Sequence, residues 1–375
     1  IQGWIPKWWN RWLLLILNKV VGYELTKTMK KRTPVCLKGK NIGIGMPEFY
    51  THFRSRAIKD KLANVRAAVL YGRLSCKYLN DADIFHVRSG SGMGGAIEKA
   101  KANGMKVVVD HSIAHPVFMD RQLRKEFEKN GALFAMGIDN PFWQGVLADC
   151  DKADFLLVNS QFVKDTFVKA GYDEKKIRVV YLGVRTDFNR LKTDYTIGNT
   201  IKLLFTGSFG FRKGGEYLLE AIKILNSRNI PCELTIVGGI GGATEMLGRY
   251  NLPNVKLVGM VPQDELKVYL KNADMYVFPS LCEGCAQSGM EALAAGLPVI
   301  ATQESGLPIE HGKTGFIIPS KNEQAIVDAV ISVAADSVLR NDIGCNAAKM
   351  MTRYTWNNYA KEVCKLYESL LNNAD

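Results

Sequence analysis

The sequence predicts an α/β protein built from two doubly wound parallel sheets in tandem. Three observations carry this. The chain has 375 residues, more than one domain of ~150 residues accounts for. From about residue 83 onward, short apolar runs alternate with amphipathic helical stretches, the pattern of parallel strands joined by crossover helices. A polar, aperiodic stretch, Arg185–Thr200, interrupts that alternation and reads as a linker, after which the same pattern restarts.

In the first half, strands are expected at Ile84–Val87, Lys106–Asp110, Phe155–Val158 and Arg178–Leu182, with helices near 94–103, 118–129, 140–151 and 161–170. In the second half, strands are expected at Ile201–Thr206, Glu233–Val237, Val255–Val258, Met275–Phe278, Val299–Ala301 and Gly315–Ile318. Helices belong near 215–227, 263–271, 288–295, 322–335 and 338–350, and a last one runs from about Trp356 to Leu371. Two such domains place a cleft between the carboxyl ends of two sets of strands, the usual place for a nucleotide-bearing ligand.

Hydrophobic residues at 47% and charged residues at 23% exclude extended disorder as the main theme. The longest unbroken apolar run near the start, Trp12–Leu17, is far below the ~18–20 residues of a spanning helix. The eight cysteines are scattered, and the close pair Cys282 and Cys285 has no second pair or nearby His to complete a zinc site. Free thiols in a reducing cytoplasm are expected.

The net charge of +12 is unevenly placed. Residues 1–80 hold 16 Lys or Arg against 3 acids, whereas the remaining 295 residues hold 33 against 34. An anionic partner is implied on the N-terminal side. Within residues 1–20, Ile5, Trp8, Trp9, Trp12, Leu13, Ile16 and Val20 recur at helical spacing while Lys7, Arg11 and Lys19 punctuate the rest. Such a helix either docks on its own domain or lies in a membrane interface, where Trp rings sit at headgroup level and cations meet anionic lipid. Residues 1–35 are therefore expected to contact the cytoplasmic membrane surface. No zinc-finger, helix-turn-helix or RNA-binding aromatic signature accompanies the charge, so nucleic acid is not an expected partner.

Three segments carry chemistry. Phe205–Gly215 (FTGSFGFRKGG) is a glycine-rich loop that leaves a strand and opens a helix, with Gly207 at its start and Arg212 and Lys213 near its end. Glycines admit an anion to the backbone, a helix start offers N–H groups, and two cations complete a diphosphate site; the GxxxxGK[ST] pattern of an ATPase loop is missing. Phe278–Ile300 carries Glu283 on a loop and Glu291 on the following helix, two carboxylates able to accept hydrogen bonds from vicinal hydroxyls. Val107–Pro116 delivers His111 and His115 into the loop at a strand's carboxyl end. A fourth segment, Arg88–Gly95, opens a helix and reads either as a further anion site or as a flexible turn.

Together these segments resemble the family-four (GT4-like) retaining glycosyltransferases of the GT-B fold. Glu283 and Glu291 match the family's E-x7-E motif with its EALAAGLPVI continuation, and Arg212-Lys213-Gly214 matches its phosphate-contacting pair. Val158–Val163, Val180–Val184, Gly306–Glu310 and Lys313–Phe316 resemble further family segments. The resemblance is dense from about 154 to 320 and thin before 100. It implies an N-terminal acceptor domain (1–190); the family's opening strand and double-glycine loop find only a poor match at Asn41–Gly45, so the first strand is either missing from the sequence or rebuilt in this branch. It also implies a C-terminal nucleotide-sugar domain (200–355), with the last helix (356–375) packing back on the first domain.

The resemblance further implies that Gly207, Arg212 and Lys213 hold the donor diphosphate and that Glu291 holds the ribose. Glu283 would contact the transferred sugar near its reacting centre, with His111 or His115 beside it. Backbone N–H groups of Gly284, Cys285, Ala286, Gln287 and Ser288 would serve sugar and phosphate, and the backbone at Val261 would read the base. The expected reaction is retaining transfer from a UDP- or GDP-sugar to a lipid-linked saccharide or glycolipid, as in bacterial surface polysaccharide biosynthesis, with no metal or other cofactor. The alternatives are a soluble acceptor or a catalytically silent GT-B scaffold.

Overall fold

The computed structural model describes residues 62–240 and 243–372, with Ile44 and Pro47. The amphipathic stretch at 1–20, the membrane-contact segment to residue 35 and the Asn41–Gly45 match lie outside the described residues, Ile44 apart.

Contacts divide the chain into two compact units: residues up to Asp110 with Ile138–Leu156, and His111–Gly137 with Leu157–Asp375. The first half runs α1 (Ala63–Ser75), β1 (Ile84–Arg88), α2 (Ala96–Ala102), β2 (Lys106–His111), α3 (Pro116–Lys129), α4 (Pro141–Asp151), β3 (Phe155–Val158), α5 (Gln161–Lys169) and β4 (Ile177–Val179). Its sheet has the order β1-β2-β3-β4, and β1 pairs with β2 in parallel, Val87 opposite Val109. Val107, Val108 and Val109 are all buried, as a strand covered on both faces requires.

Sequence periodicity misses α1 because the helix buries small residues, Ala63, Ala67, Gly72 and Ser75, rather than an apolar stripe. Gly72 is obligatory there: a β-carbon would stand 1.6 Å from the Met93 carbonyl oxygen. The glycine-rich turn after β1 is likewise filled from within. Asp149 of α4 accepts hydrogen bonds from Gly90 N–H at 2.8 Å and Gly92 N–H at 2.9 Å, so the anion that this loop holds is the protein's own carboxylate.

The second half runs β5 (Ile201–Thr206), α6 (Gly215–Ser227), β6 (Cys232–Val237), α7 (Thr244–Tyr250), β7 (Val255–Gly259), α8 (Gln263–Asn272), β8 (Met275–Phe278), α9 (Gln287–Ala295), β9 (Val299–Thr302), β10 (Phe316–Ile318), α10 (Glu323–Ala335), α11 (Ser337–Met351) and α12 (Trp356–Asn372). The sheet order is β10-β9-β8-β5-β6-β7, every pairing parallel. At its centre Phe205 stacks on Phe278 and Tyr276 on Phe278, with centroids 5.4 and 5.9 Å apart. Periodicity misses α7, which buries only Met246 and carries Gly248 in its middle.

Two expectations need correction. The stretch Arg185–Thr200 is no free linker: Arg190 and Lys192 N–H donate to the Ala294 and Ala295 carbonyls at the end of α9, and the buried Lys192 Nζ donates to Ala273 O at 2.6 Å. These bonds run to backbone carbonyls, which leave no trace in hydropathy. The strand expected at Arg178–Leu182 is shorter and earlier. Beyond it the chain turns toward α12, where Val184 N–H donates to Tyr354 O at 2.8 Å and Gly183 leaves no room for a β-carbon against Trp356 N. Arg178 of β4 also lies 3.6 Å from Glu362 of α12.

Helix α3 is fixed to its unit by a buried acid. Glu126 accepts from Tyr217 Oη of α6 at 2.9 Å and pairs with Lys321 Nζ at 3.0 Å, so both oxygens are engaged.

Burial pushes the Asp149 carboxyl up to about 6, against the lowering effect of its two backbone donors. Raised above its unfolded value, the group favours the folded state most while protonated, and this advantage is lost as pH rises from about 4 through about 6. Asp149→Asn retains an oxygen for both N–H groups and carries no charge. We expect it to unfold at a higher temperature than wild type at pH 8, by ~2 kcal/mol in stability, and to lose the advantage near pH 4; calorimetric melts at the two pH values check this.

Candidate functional site

The site grows from the carboxyl end of β5. Gly207 ends the strand with φ 118°, its N–H bonded to Val237 O at 2.9 Å. The chain then makes a short 3₁₀ turn, Phe211–Lys213, closed by Gly214 in the left-handed region at φ 69°. A β-carbon at Gly214 would lie 1.9 Å from Pro279 O, so glycine alone lets this loop sit against the end of β8. Leu281 N–H and Ser280 Oγ both donate to Arg212 O, at 2.9 and 3.2 Å, and the Arg212 guanidinium donates to Cys282 O at 2.8 Å.

This clamp sets the charges. Arg212 Nη1 is 2.7 Å and Lys213 Nζ 3.3 Å from Glu283 Oε1, close ion pairs that are not aligned as hydrogen bonds. Lys213 Nζ also stands 5.0 Å from the centroid of the Phe278 ring, and lies 3.1 Å from where a Gly207 β-carbon would be, with Ser288 Oγ 3.9 Å from the same point. Two cations thus share one carboxylate, and the local excess is positive. The first N–H groups of a helix have no intrahelical acceptor, and at the start of α9 no side chain caps them.

Gly207, Arg212, Lys213, Glu283 and Ser288 are therefore brought together from three segments. Gly284 is gripped: Ser160 Oγ donates to its carbonyl, and a β-carbon on it would meet Ser112 O at 2.0 Å and Asn159 Nδ2 at 2.8 Å. Cys285 is buried and its thiol pushed up to about 12 by desolvation. Ala286 departs from expectation: its N–H is committed to Ser305 O at 3.0 Å and is not available to a ligand. Gln287 donates through Nε2 to Gly183 O at 3.1 Å.

Glu291 lies in another environment. It is buried, and desolvation raises its carboxyl to about 7, opposed by Arg185 and reinforced by Asp187. Val261 follows β7 and is half-buried against the edge of the core. His111 and His115 are both buried, edge-on to Phe167 at 5.1 and 4.9 Å. His115 caps α3, its Nδ1 accepting from Val117 N–H at 3.2 Å, a local structural task. The loop between the two histidines is what reaches the site, through Ser112 O beside Gly284.

Sequence reading missed the residues that orient the site. Tyr276 Oη, wholly buried in β8, donates to Ser288 Oγ at 3.0 Å and lies 3.2 Å from Thr206 Oγ1. Thr302 Oγ1 donates to Ser280 O at 2.5 Å. A hydroxyl among four buried residues of β8 was the only visible sign.

Two parallel doubly wound sheets, with a cation pair, a carboxylate and a helix start gathered at the strand ends of the second, define the glycosyltransferase class with the GT-B fold. Residues 187–350 match the model for glycosyl transferases group 1, and residues 46–188 that for glycosyltransferase family 4. The chain belongs to this family. It is 30% identical over 195 residues to the amylovoran biosynthesis glycosyltransferase AmsK of Erwinia amylovora, covering 48% of this chain and 47% of that one. It is 29% identical over 247 residues to a D-inositol 3-phosphate glycosyltransferase of Corynebacterium urealyticum, covering 59% and 58%. The chain thus spans about half the length of the curated relatives it matches. Its fold is similar to that of sucrose-phosphate synthase from Thermosynechococcus elongatus, with TM-score 0.64, 20% identity and coverage of 86% and 80%. It is also similar to Anabaena HepE in complex with UDP-glucose, with TM-score 0.60, 16% identity and coverage of 81% and 82%.

Gly284→Ala places a β-carbon into backbone rather than into a movable side chain. We expect a loss of stability above ~2 kcal/mol, read from denaturant unfolding, whereas Gly248→Ala, whose added β-carbon meets nothing within 4 Å, should leave the midpoint unchanged or raised.

Proposed function

We propose that this chain transfers a sugar, with retention of anomeric configuration, from a UDP- or GDP-sugar to a lipid-linked saccharide or glycolipid at the cytoplasmic face of a membrane. The observation that carries the donor half is the sharing of Glu283 by Arg212 and Lys213. A diphosphate brings two or more negative charges to a place where one carboxylate already answers two cations. It takes over the cations, and Glu283 is released toward the sugar.

As the glycosidic C–O bond of the donor breaks, charge grows on the departing phosphate, and Arg212, Lys213 and the start of α9 stabilise it where it forms. The leaving phosphate oxygen takes the proton of the incoming hydroxyl on the same face of the sugar. Glu291 accepts from the ribose hydroxyls. This reading needs no metal, because Arg212, Lys213 and the start of α9 supply the positive charge that the departing diphosphate requires.

The acceptor half rests on the basic, Trp-rich N-terminal sequence and on the family's presence in polysaccharide biosynthesis, as the name of the Erwinia relative indicates. Attachment would run through the amphipathic, basic residues 1–35 lying in the interface plane; no helix among the described residues is long and apolar enough to cross a membrane. A phosphorylated soluble acceptor is the second reading, favoured by the inositol-phosphate relatives. Partitioning onto anionic vesicles separates the two: removal of residues 1–20 should abolish it under the first reading.

The donor test is a thermal-shift panel of UDP- and GDP-sugars, with and without EDTA. One nucleotide class should stabilise the protein whether or not EDTA is present, reaching ~2.7 kcal/mol at a hundredfold excess over Kd, and Glu291→Ala should lose the effect. With the Glu291 carboxyl near 7, its ionised form, which accepts from both ribose hydroxyls, fills as pH rises. Nucleotide affinity should tighten between pH 6 and 8 in wild type and stay flat in Glu291→Gln, as titration calorimetry reads.

A further inference from the structure

We propose that Asn159, on the turn following β3, contacts substrate: its side-chain oxygen accepts a hydrogen bond from a sugar hydroxyl brought to the Gly284 loop. The inference rests on the transferase reading and adds a residue to its site.

Asn159 is only 5% exposed. Its Nδ2 reaches Ser112 O at a long 3.5 Å, while its Oδ1 is buried and has no hydrogen-bond partner. Turning the amide over would set two oxygens against each other, so the network fixes the orientation. Three buried side-chain oxygens stand without a hydrogen bond among the described residues: Asn159 Oδ1, Glu283 Oε1 and Gln287 Oε1. They are not scattered. Glu283 and Gln287 bound the loop, and Asn159 lies against Gly284 between them.

Glu283 Oε1 is answered by its two ion pairs, but Asn159 Oδ1 and Gln287 Oε1 are answered by no donor among the described residues. Buried polar atoms in native proteins are nearly all paired, so two orphaned acceptors beside one five-residue segment mark a place where donors arrive with a ligand. The donor's chemistry is restricted. Arg212 and Lys213 are already placed on Glu283, and a phosphate has only acceptor oxygens to offer a neutral amide oxygen. A polyhydroxylated ring donates several O–H groups at the spacing of neighbouring carbons and brings no charge. With the ribose hydroxyls assigned to Glu291 and the diphosphate to Arg212 and Lys213, the O–H groups left for Asn159 are those of the saccharides. The hydroxyl belongs either to the transferred sugar or to the acceptor saccharide.

The experiment uses the full chain with Asn159→Leu, which fills the volume, and Asn159→Ala, which leaves a cavity. Calorimetry compares UDP with UDP-glucose and GDP with GDP-mannose, and transfer is followed with octyl glucoside as the acceptor probe. If the hydroxyl is on the transferred sugar, both variants bind the nucleoside diphosphate as wild type does but lose about tenfold in affinity for the sugar nucleotide. If it is on the acceptor, sugar-nucleotide affinity is kept and the KM for octyl glucoside rises about tenfold. Wild-type affinities and wild-type KM in both variants would overturn the inference. No binding of any nucleotide by the wild-type chain would instead overturn the donor reading, and this inference with it.

Discussion

Two cations held on one half-buried carboxylate are the interaction around which the second sheet is organised. Arg212 and Lys213 stand on a turn too short for a regular helix, and Glu283 stands on a loop from another strand. Holding them within a few ångströms in a half-buried setting is costly unless the backbone is rigid. The rigidity comes from contacts that exclude a β-carbon, Gly214 on Pro279 and Gly284 on Ser112, and from hydroxyls that fix carbonyls, Ser280 on Arg212 and Thr302 on Ser280. The stacked rings of Phe205, Phe278 and Tyr276 support this frame from below.

The arrangement also explains why charge near the site is balanced but not cancelled. A site with two free cations would bind any passing anion and repel itself; one with two carboxylates would refuse a diphosphate. One internal carboxylate against two cations leaves a positive excess and a counter-ion that an incoming anion can replace. Burial of Glu291 on the neighbouring helix pushes its carboxyl up to about 7, so its charge changes across the neutral range. The first unit uses the same physics for a structural end: Asp149 occupies its own glycine-rich turn.

Much of this was legible in the sequence. Strands such as Val107–Val109 and Tyr276–Phe278 are buried on both faces and read as apolar runs, and the loop and helix that carry Glu283 and Glu291 were visible as a break between two such runs. What escaped has a common cause. Helix α1 packs through small residues, Arg185–Thr200 is held by bonds to carbonyls, and Ala286 spends its N–H on Ser305. Backbone-to-backbone bonds and close approaches depend on three-dimensional proximity, which side-chain patterns do not encode. The loop after β2 illustrates the same limit: the cap that His115 Nδ1 gives α3 and the approach of Ser112 O to Gly284 depend on proximity that the sequence pattern does not encode.

The central claim is that Glu283 stands where a diphosphate's charge belongs, and the most direct test is calorimetric titration of UDP and GDP into wild type and Glu283→Gln. Removing the internal counter-ion while keeping the shape should tighten binding of the recognised nucleoside diphosphate several-fold and steepen its dependence on salt. Unchanged or weaker binding in Glu283→Gln would contradict the account, because it would mean that carboxylate and diphosphate do not compete for Arg212 and Lys213.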